Sequence, residues 1–259
     1  MSSTSPFRLD GLNVLVTGAG GGIGQALVTA FRAARANVSG ADRTLEALDG
    51  LNLAHRLVAD QADLAATDLS IHDYLQRAGT PDVVISNAGY TRAELFEDVD
   101  LAVWQSELAI NLSGAYALTA PIVEAMAARG SGSLTFIASV NGLLHLGNPA
   151  YSAAKAGLIA YAKSIAVERG SRGVRANTIC PGSVHTPAWD HRFAADASLM
   201  RKVLPLYPLG RLVTAADVAN AAVFLSSPAA AGITGVSLPV DAGLTAGNMH
   251  FINDVLRHE

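Results

Sequence analysis

A tyrosine and a lysine four positions apart are the residues of this chain best placed for proton-transfer chemistry. Tyr151 and Lys155 flank Ser152-Ala153-Ala154, and a helical repeat puts the phenol and the ammonium group on one face. A free tyrosine has a pKa of about 10 and burial raises it further, so a phenol alone is a poor base at neutral pH. A cation about 4 Å away contributes on the order of 4 kcal/mol at an effective dielectric constant of about 20, or roughly three pKa units. The pair therefore predicts a phenol that can accept a proton from a hydroxyl group.

Two polar residues upstream, Asn111 and Ser139, extend this pattern. Ser139 stands twelve residues before Tyr151, at the end of an apolar run, where its hydroxyl group can donate a hydrogen bond to a reacting oxygen. Taken singly, each residue type has an ordinary structural explanation, because a tyrosine is often half-buried and a lysine is usually solvated. Their joint placement favours catalysis, and a well-placed acid–base pair contributes about 10²–10⁴-fold in rate. The candidate catalytic residues are Asn111, Ser139, Tyr151 and Lys155.

A glycine-rich turn near the N-terminus, Thr17–Gly24, lies between an apolar run and a helical pattern. Glycine lets the backbone turn sharply and approach a pyrophosphate closely, and free N–H groups at a helix start attract phosphate charge. The spacing is Gly-x-x-x-Gly-x-Gly rather than Gly-x-Gly-x-x-Gly. A loop without a ligand is the alternative, but the flanking strand and helix favour a dinucleotide site.

An acidic residue, Asp42, ends the second apolar run, 18 residues beyond Gly24. Its carboxylate can accept hydrogen bonds from the adenosine ribose hydroxyls and would repel a 2′-phosphate, which favours NAD over NADP. Arg43 follows immediately and can partly neutralise that carboxylate, so NADP remains the less favoured alternative. A second alternative is that Asp42 caps a helix over Thr44–Leu48.

The remaining pattern alternates short apolar runs with longer helical periodicities, which is typical of an α/β fold. The predicted strands are 13–17, 37–40, 56–59, 82–86, 133–137, 174–179 and 235–240, and the predicted helices are Gly24–Ala34, Leu101–Ala128, Pro149–Arg169 and Thr214–Leu225. Most of the runs are nearly continuous in apolar character, as in strands covered on both faces. We predict one Rossmann-like domain over residues 1–259, with a doubly wound parallel sheet of about seven strands and helices on both faces. Thr214 and Asp217 resemble a capping box at the last helix.

Composition narrows the function classes. Of 259 residues, 15% are charged and the formal net charge is −4 without a lysine/arginine run, which argues against nucleic acid or an anionic membrane surface as a partner. Residues 130–154 and 218–240 lack charges but are interrupted by turn residues, so no membrane span is predicted from them. The N-terminus does not resemble a secretory signal, and residues 1–8 are predicted to be flexible. The single cysteine, Cys180, is predicted to be a small buried group, which allows a reducing, cytoplasmic setting.

On these motifs the chain resembles a short-chain dehydrogenase/reductase over residues 8–243. The residues that carry the resemblance are Thr17–Gly24, Asp60, Asn87-Ala88-Gly89, Asn111, Ser139, Tyr151–Lys155 and residues 181–186. The resemblance implies that Tyr151 is the general acid/base, that Ser139 holds the reacting oxygen, and that Lys155 binds the nicotinamide ribose while tuning Tyr151. It also implies a water relay anchored by Asn111 and a homotetramer, or a homodimer, packed through the helices at Leu101–Ala128 and Pro149–Arg169.

The resemblance further implies how a dinucleotide is held. Asp60 is expected at the adenine edge, Asn87–Gly89 against the adenosine ribose, and Val184 with Thr186 at the carboxamide. The full set of predicted cofactor-binding residues is Gly18, Gly21, Gly22, Ile23, Gly24, Asp42, Asp60, Gln61, Asn87, Ala88, Gly89, Tyr151, Lys155, Pro181, Gly182, Val184 and Thr186.

Substrate recognition is assigned to loops beyond the strand ends. Residues 185–211 are predicted to form a lid over the nicotinamide. Its hydrogen-bonding and cationic groups suggest a polar, hydroxyl-rich or anionic substrate, although they are equally well explained as solvated lid residues. The candidate substrate residues are Ser139, Asn141, His145, His185, Trp189 and Arg192. No metal site is predicted, because His185 and His191 are six apart and do not share a helix face.

The extension at residues 244–259 carries an apolar stripe of Phe251, Ile252, Val255 and Leu256. Such a stripe packs on a core or on a symmetric neighbour, and a sharper hypothesis is that it lines another subunit's pocket. For the whole chain we predict an NAD-dependent dehydrogenase acting on a secondary alcohol or cyclic hemiacetal of a sugar, sugar acid or polyol. The alternatives are an NAD(P)H-dependent carbonyl reductase and a non-enzymatic dinucleotide sensor or scaffold.

Overall fold

The computed structural model describes residues 7–185, 189, 194, 196, 198–249 and 251–257. Within these ranges it contains strands β1 (Asn13–Thr17), β2 (Asn37–Asp42), β3 (Arg56–Val58), β4 (Val83–Ser86), β5 (Gly132–Ile137), β6 (Val174–Pro181), β7 (Val184–His185), β8 (Val213–Thr214) and β9 (Ser237–Val240). Its α-helices are α1 (Gly22–Ala33), α2 (Leu64–Ala78), α3 (Leu101–Leu108), α4 (Gly114–Arg129), α5 (Pro149–Arg169), α6 (Leu199–Val203) and α7 (Ala215–Ser226).

Seven of the strands form one parallel sheet in the order β3-β2-β1-β4-β5-β6-β9, while β7 and β8 pair with each other. Every pairing in the large sheet is parallel, which confirms the predicted α/β class and the seven strands. The strand order reverses between β1 and β4, so the chain leaves those two strands in opposite directions. A crevice therefore opens beyond their carboxyl ends, which is where such sheets bind ligands.

The core lies on both faces of this sheet. One face packs α2, α4 and α5 through residues that include Ile71, Leu118 and Leu158, and the other packs α1 and α7 through residues that include Phe31 and Val218. Each of these side chains is at most 3% exposed. Fully burying one large apolar side chain contributes about 1.5–3 kcal/mol, so the two layers fix the strand ends that carry the site.

Local signals explain several helix boundaries. Pro149 occupies the first turn of α5, where a missing N–H costs nothing. Thr214 and Asp217 form the predicted capping box, with Asp217 N 3.1 Å from Thr214 Oγ1 and Thr214 N 2.8 Å from Asp217 Oδ2. The start of α7 was therefore predicted correctly.

The helical periodicities missed one helix and one local irregularity. Helix α2 was not predicted, because most of its surface is polar and only Thr67, Ile71 and Tyr74 are buried. The signal that could have located its start is Asp63, whose side chain accepts a hydrogen bond from Ala66 N at 3.0 Å. The predicted helix over Leu101–Ala128 is confirmed as one helical run, Leu101–Arg129, which contains an unpredicted π-turn at Ala109–Ser113.

The run Leu101–Arg129 is the one helical stretch in the described ranges that is long and apolar enough, by length and composition, to cross a membrane. The core helix of a folded domain passes the same test, and here Ile122 and Met126 are fully buried against the sheet. We therefore assign this run to the core.

Candidate active site

A cavity of about 600 Å³ lies at the carboxyl ends of β1, β2, β3 and β4, where the strand order reverses. Its wall includes the glycine turn, the end of β2, the residues after β3 and the residues after β4. Eleven predicted cofactor residues line it, namely Gly18, Gly21, Gly22, Ile23, Gly24, Asp42, Asp60, Gln61, Asn87, Ala88 and Gly89. The structure brings these residues together, while their cofactor-binding role stays a prediction.

The glycine turn has two kinds of glycine. Gly18 has φ of +61°, and a Cβ there would lie 2.9 Å from Ala88 Cα; a Cβ on Gly24 would lie 2.0 Å from Gly18 O. These two glycines are required by the chain's own packing. A Cβ on Gly21 would meet only Gly18 O, at 3.5 Å, so Gly21 leaves an open stretch of cavity wall.

The Asp42 carboxylate faces this turn. Its Oδ2 accepts from Gly20 N at 2.9 Å and its Oδ1 from Arg43 N at 2.7 Å. The side chain that meets the short helical turn that follows is Thr44, whose Oγ1 accepts from Ala47 N at 3.3 Å. The alternative in which Asp42 caps that helix is therefore wrong, and the carboxylate stands in the cavity with Arg43 beside it.

After β3, Asp60 and Gln61 form the next part of the wall. Asp60 Oδ1 accepts from Ala62 N at 3.0 Å, which holds the carboxylate in a turn. Gln61 is 4% exposed, and neither of its side-chain amide atoms has a hydrogen-bond partner. A buried amide without a partner costs roughly 1–3 kcal/mol, so Gln61 is a group that a ligand or water in the cavity would stabilise.

Tyr151 and Lys155 meet on one face of α5. Lys155 Nζ lies 5.3 Å from the centre of the Tyr151 ring and donates to Ile137 O at 3.0 Å. A Cβ on Gly89 would come within 3.2 Å of Lys155 Nζ and 3.0 Å of Asn111 Oδ1. The amine therefore lies beside the phenol and against the cavity wall at Gly89.

Burial dominates the proton affinities of this pair. It raises the pKa of Tyr151 to about 12, a rise opposed by the hydrogen-bonding Ser139 and reinforced by Glu107 and Cys180. It lowers the pKa of Lys155 to about 8. Burial is therefore the largest influence on the pKa of the phenol, and the expected tuning of Tyr151 by Lys155 together with the nicotinamide ring stays a prediction.

Ser139 is 8% exposed and begins the turn that follows β5. Its Oγ accepts from Asn141 N at 3.1 Å. The Asn141 amide donates to Gly147 O at 2.9 Å and to Ser152 Oγ at 3.2 Å. Asn141 was predicted as a substrate residue, but its side-chain N–H groups donate to groups within the protein and its main-chain N–H stabilises the Ser139 turn.

Asn111 is fully buried in the π-turn between α3 and α4. Its amide donates to Tyr90 O at 2.6 Å and to Glu107 O at 2.9 Å, and its Oδ1 accepts from Tyr90 N at 3.0 Å. Both amide hydrogens are used, so the side chain ties the loop after β4 to the helix. π-turns of this kind are frequent at functional sites.

The other described candidate residues do not line the cavity. His145 and His185 are exposed, and Pro181, Gly182 and Val184 follow from the end of β6 into β7. Trp189 is partly exposed. Thr186 and Arg192, with most of the first half of the predicted lid, lie outside the described residues.

Sequence reasoning missed Glu107, a carboxylate that is 1% exposed beside this site. Its position four residues before Asn111, one helical turn away, is the signal that could have found it.

A doubly wound parallel sheet with a glycine turn at its switch point defines a Rossmann-like, nucleotide-binding class of protein. A family model described as enoyl-(acyl carrier protein) reductase matches residues 18–245. The chain belongs to the short-chain dehydrogenase/reductase family and is an oxidoreductase. Members of this family use a nicotinamide cofactor, act on small molecules and are commonly oligomeric.

Individual relatives match over nearly the whole chain. A D-threitol dehydrogenase of Mycolicibacterium smegmatis is 36% identical over 252 residues, covering 92% of this chain and 95% of the relative. The crystal structure of an oxidoreductase of the same family from Burkholderia thailandensis is 43% identical, with a TM-score of 0.88 and coverage of 96% and 98%. A gluconate 5-dehydrogenase from Burkholderia cenocepacia, in complex with NADP and tartrate, is 28% identical, with a TM-score of 0.86 and coverage of 94% and 98%.

Proposed function

We propose that the protein is an NAD-dependent dehydrogenase that oxidises a secondary alcohol or cyclic hemiacetal of a sugar, sugar acid or polyol. One observation carries the proposal: Lys155 Nζ lies 5.3 Å from the Tyr151 ring centre and borders Gly89 on the wall of the dinucleotide-sized cavity. The amine of the acid–base pair thus lies directly behind the Gly89 part of the cavity wall. Neither a sensor nor a scaffold needs a buried phenol beside a buried amine.

The cavity residues fit a nicotinamide dinucleotide. Gly21 leaves open wall at the start of α1, where free N–H groups and the helix dipole favour a pyrophosphate. Asp42 offers a carboxylate to ribose hydroxyls, and the Gln61 amide lacks a partner. When bound, the oxidised nicotinamide supplies the hydride acceptor and a positive charge.

Tyr151 acts as the base that takes the hydroxyl proton, and Ser139 positions the reacting oxygen. Burial keeps the pKa of the Tyr151 phenol at about 12, so further positive charge is needed to make it a base near neutral pH. Lys155 provides part of that charge from beside the ring, held in place by Ile137 O. We assign the water-anchoring role at Asn111 to its main chain, since both side-chain amide hydrogens are already donated.

Asp42 supports NAD, because a carboxylate at the ribose repels a 2′-phosphate. Arg43 and the NADP found in the related gluconate 5-dehydrogenase support the NADP alternative. Comparing kcat/KM for the two cofactors decides between them. We expect a ratio favouring NAD in the natural chain and a ratio shifted toward NADP in Asp42→Ala; a natural ratio favouring NADP contradicts the assignment.

The substrate class is supported by the relatives named for threitol and gluconate. A panel of polyols, sugars, sugar acids and hydroxysteroids, assayed by NAD reduction at 340 nm, tests it directly. We expect the largest kcat/KM on a polyol, sugar or sugar acid. Activity confined to hydroxysteroids would contradict the proposed class.

A carbonyl reductase is the second candidate, and the matching family model, described as a reductase, favours it. Measuring both directions at neutral pH separates the candidates. A reductase would show NADPH-dependent reduction with a much larger kcat/KM than oxidation with NAD.

A further inference from the structure

Glu107 is a buried acid outside the proposed acid–base set. Its side chain is 1% exposed, and no ion pair to Lys, Arg or His is found for it within the described ranges. A buried carboxyl group is costly unless hydrogen bonds satisfy it. Its hydrogen bonds therefore indicate what it holds.

Those bonds all go to one segment, which we call the 90–94 loop (Tyr90–Glu94). Glu107 Oε1 accepts from Arg92 N at 2.5 Å and from Ala93 N at 3.4 Å. The Thr91 hydroxyl donates to the same oxygen at 3.4 Å. A carboxylate is an acceptor-only group, so converging N–H and O–H donors match it well.

The opposite side of the 90–94 loop is held by Asn148, the residue before α5. Asn148 Nδ2 donates to Thr91 Oγ1 at 3.0 Å and to Ala93 O at 2.9 Å, while Asn148 N donates to Glu94 O at 2.8 Å. Asn148 has φ of +52°, a left-handed conformation that asparagine tolerates better than most residues. Tyr151 follows three residues later in the first turn of α5.

The beginning of the same loop is tied to Asn111, which exchanges hydrogen bonds with both the N–H and the C=O of Tyr90. The 90–94 loop therefore bridges Asn111 and the first turn of the helix that carries Tyr151. Glu107 and Asn111 lie one helical turn apart, and both make hydrogen bonds to the 90–94 loop from the same side.

We propose that Glu107 is a positioning residue: its carboxylate holds the 90–94 loop between Asn111 and the first turn of α5, and so fixes Tyr151 relative to Asn111. The assignment rests on the proposed function, since it gives that function's base its support. Glu107 does not touch the reacting atoms and acts through Tyr151.

The charge of Glu107 adds a second, measurable effect. Among the described residues, the groups that act on the Tyr151 phenol are Lys155 beside its ring, Ser139 through a hydrogen bond, and the acids Glu107 and Cys180. Glu107 raises the pKa of Tyr151. Removing its charge therefore lowers that pKa, which moves the rising limb of an oxidation rate to lower pH.

Two substitutions separate the hydrogen bonds that Glu107 makes to the 90–94 loop from the effect of its negative charge. In Glu107→Gln, the amide oxygen can still accept from Arg92 N and the amide nitrogen can donate to Thr91 Oγ1. In Glu107→Ala both bonds are lost. Glu97→Gln is the matched control, because Glu97 is exposed and makes none of these contacts.

In Glu107→Gln we expect the rising limb of kcat/KM for alcohol oxidation to move about half a pH unit lower. In Glu107→Ala we expect kcat for alcohol oxidation to fall about tenfold while KM for the cofactor changes little, because the base is no longer held in place. Glu97→Gln should match the parent protein in both. An unmoved pH profile in Glu107→Gln together with an unchanged kcat in Glu107→Ala would overturn the proposal.

Hydrogen exchange of the Arg92 and Ala93 amides gives a readout that does not depend on turnover. We expect faster exchange in Glu107→Ala and parent-like protection in Glu107→Gln. If the alanine variant does not fold, Asn148→Gly keeps the left-handed backbone, removes the amide from the other side, and should also speed exchange. A parent protein without dehydrogenase activity would contradict the proposed function alone. Unchanged exchange of the Arg92 and Ala93 amides in every variant that folds would contradict the role of Glu107 in holding the 90–94 loop.

Discussion

At the scale of single residues, the phenol of Tyr151 decides what this site can do. The sequence predicted a helical tyrosine–lysine pair, and the structure places the amine 5.3 Å from the ring centre. What the sequence could not supply was the burial of both groups, which moves both pKa values against their charged forms. Local spacing indicates which groups meet, but desolvation depends on every element packed around them.

The direction of the Tyr151 shift predicts a pH dependence. Oxidation needs the unprotonated phenol, whose population grows as pH approaches a pKa that burial raises to about 12. We expect kcat/KM for alcohol oxidation to rise from about pH 6 to about pH 9, while the reverse reduction, which needs the protonated phenol, stays level or falls. Steady-state rates in both directions check this.

Lys155→Met provides the comparison for that profile. Loss of the cation leaves the Tyr151 phenol harder to ionise, so the rising limb should move to higher pH. An oxidation rate that falls with pH in the parent protein would contradict the assignment of Tyr151 as the base.

At the scale of elements, the strands and most helices were predictable because their apolar periodicities are strong. The π-turn at Ala109–Ser113 was not, since single π-turns inside a helix are rare and the apolar periodicity predicts only that the segment is helical. Helix α2 escaped because only Thr67, Ile71 and Tyr74 are buried on it. Glu107 was hidden for a related reason: the sequence does not reveal which polar side chains the packing will enclose.

The glycine turn yields a prediction at this scale. In Gly21→Ala the new methyl group lies 3.5 Å from Gly18 O and otherwise faces the cavity, so the fold should tolerate it. We expect the Kd for NADH to rise about tenfold, because the methyl group projects into the part of the cavity where the pyrophosphate is proposed to bind. Quenching or enhancement of NADH fluorescence measures it.

Gly170→Ala is the control for that substitution. A Cβ at Gly170 would meet nothing within 4 Å, and Gly170 does not line the cavity. Equal NADH affinity in both variants, at unchanged melting temperature, would mean that the pyrophosphate does not approach Gly21.

At the scale of the whole molecule, the helices α4 and α5 and the C-terminal tail carry exposed apolar residues that bear on assembly. Helices α4 and α5 border a groove of about 510 Å³ that includes Tyr116, and Val167, which lies on α5 outside that groove, is 81% exposed. The tail residues Phe251, Ile252, Val255 and Leu256 form a π-helical turn and are 38–58% exposed. The tail stripe therefore does not pack on the core of its own chain, and its packing on a symmetric neighbour stays a prediction.

We propose assembly through α4 and α5, in keeping with the predicted homotetramer, and Val167→Glu tests it. Because Val167 is so exposed, the change should leave the fold intact while placing a charge in the subunit contact. We expect a lower molar mass by size-exclusion chromatography with light scattering. Leu45→Glu, at an exposed position between β2 and β3 that lies on neither α4 nor α5 and does not line the groove, should keep the parent mass; a parent protein that is already monomeric would refute the assembly.

The most direct test of the central claim is turnover and NADH binding measured together in Tyr151→Phe. The substitution removes one oxygen and keeps the ring against Lys155, so the cavity should bind NADH with a Kd close to that of the parent protein. The account predicts that alcohol oxidation falls by about 10²–10⁴-fold or more, since the phenol is its base. Oxidation that persists at the parent rate in the phenylalanine variant would contradict it.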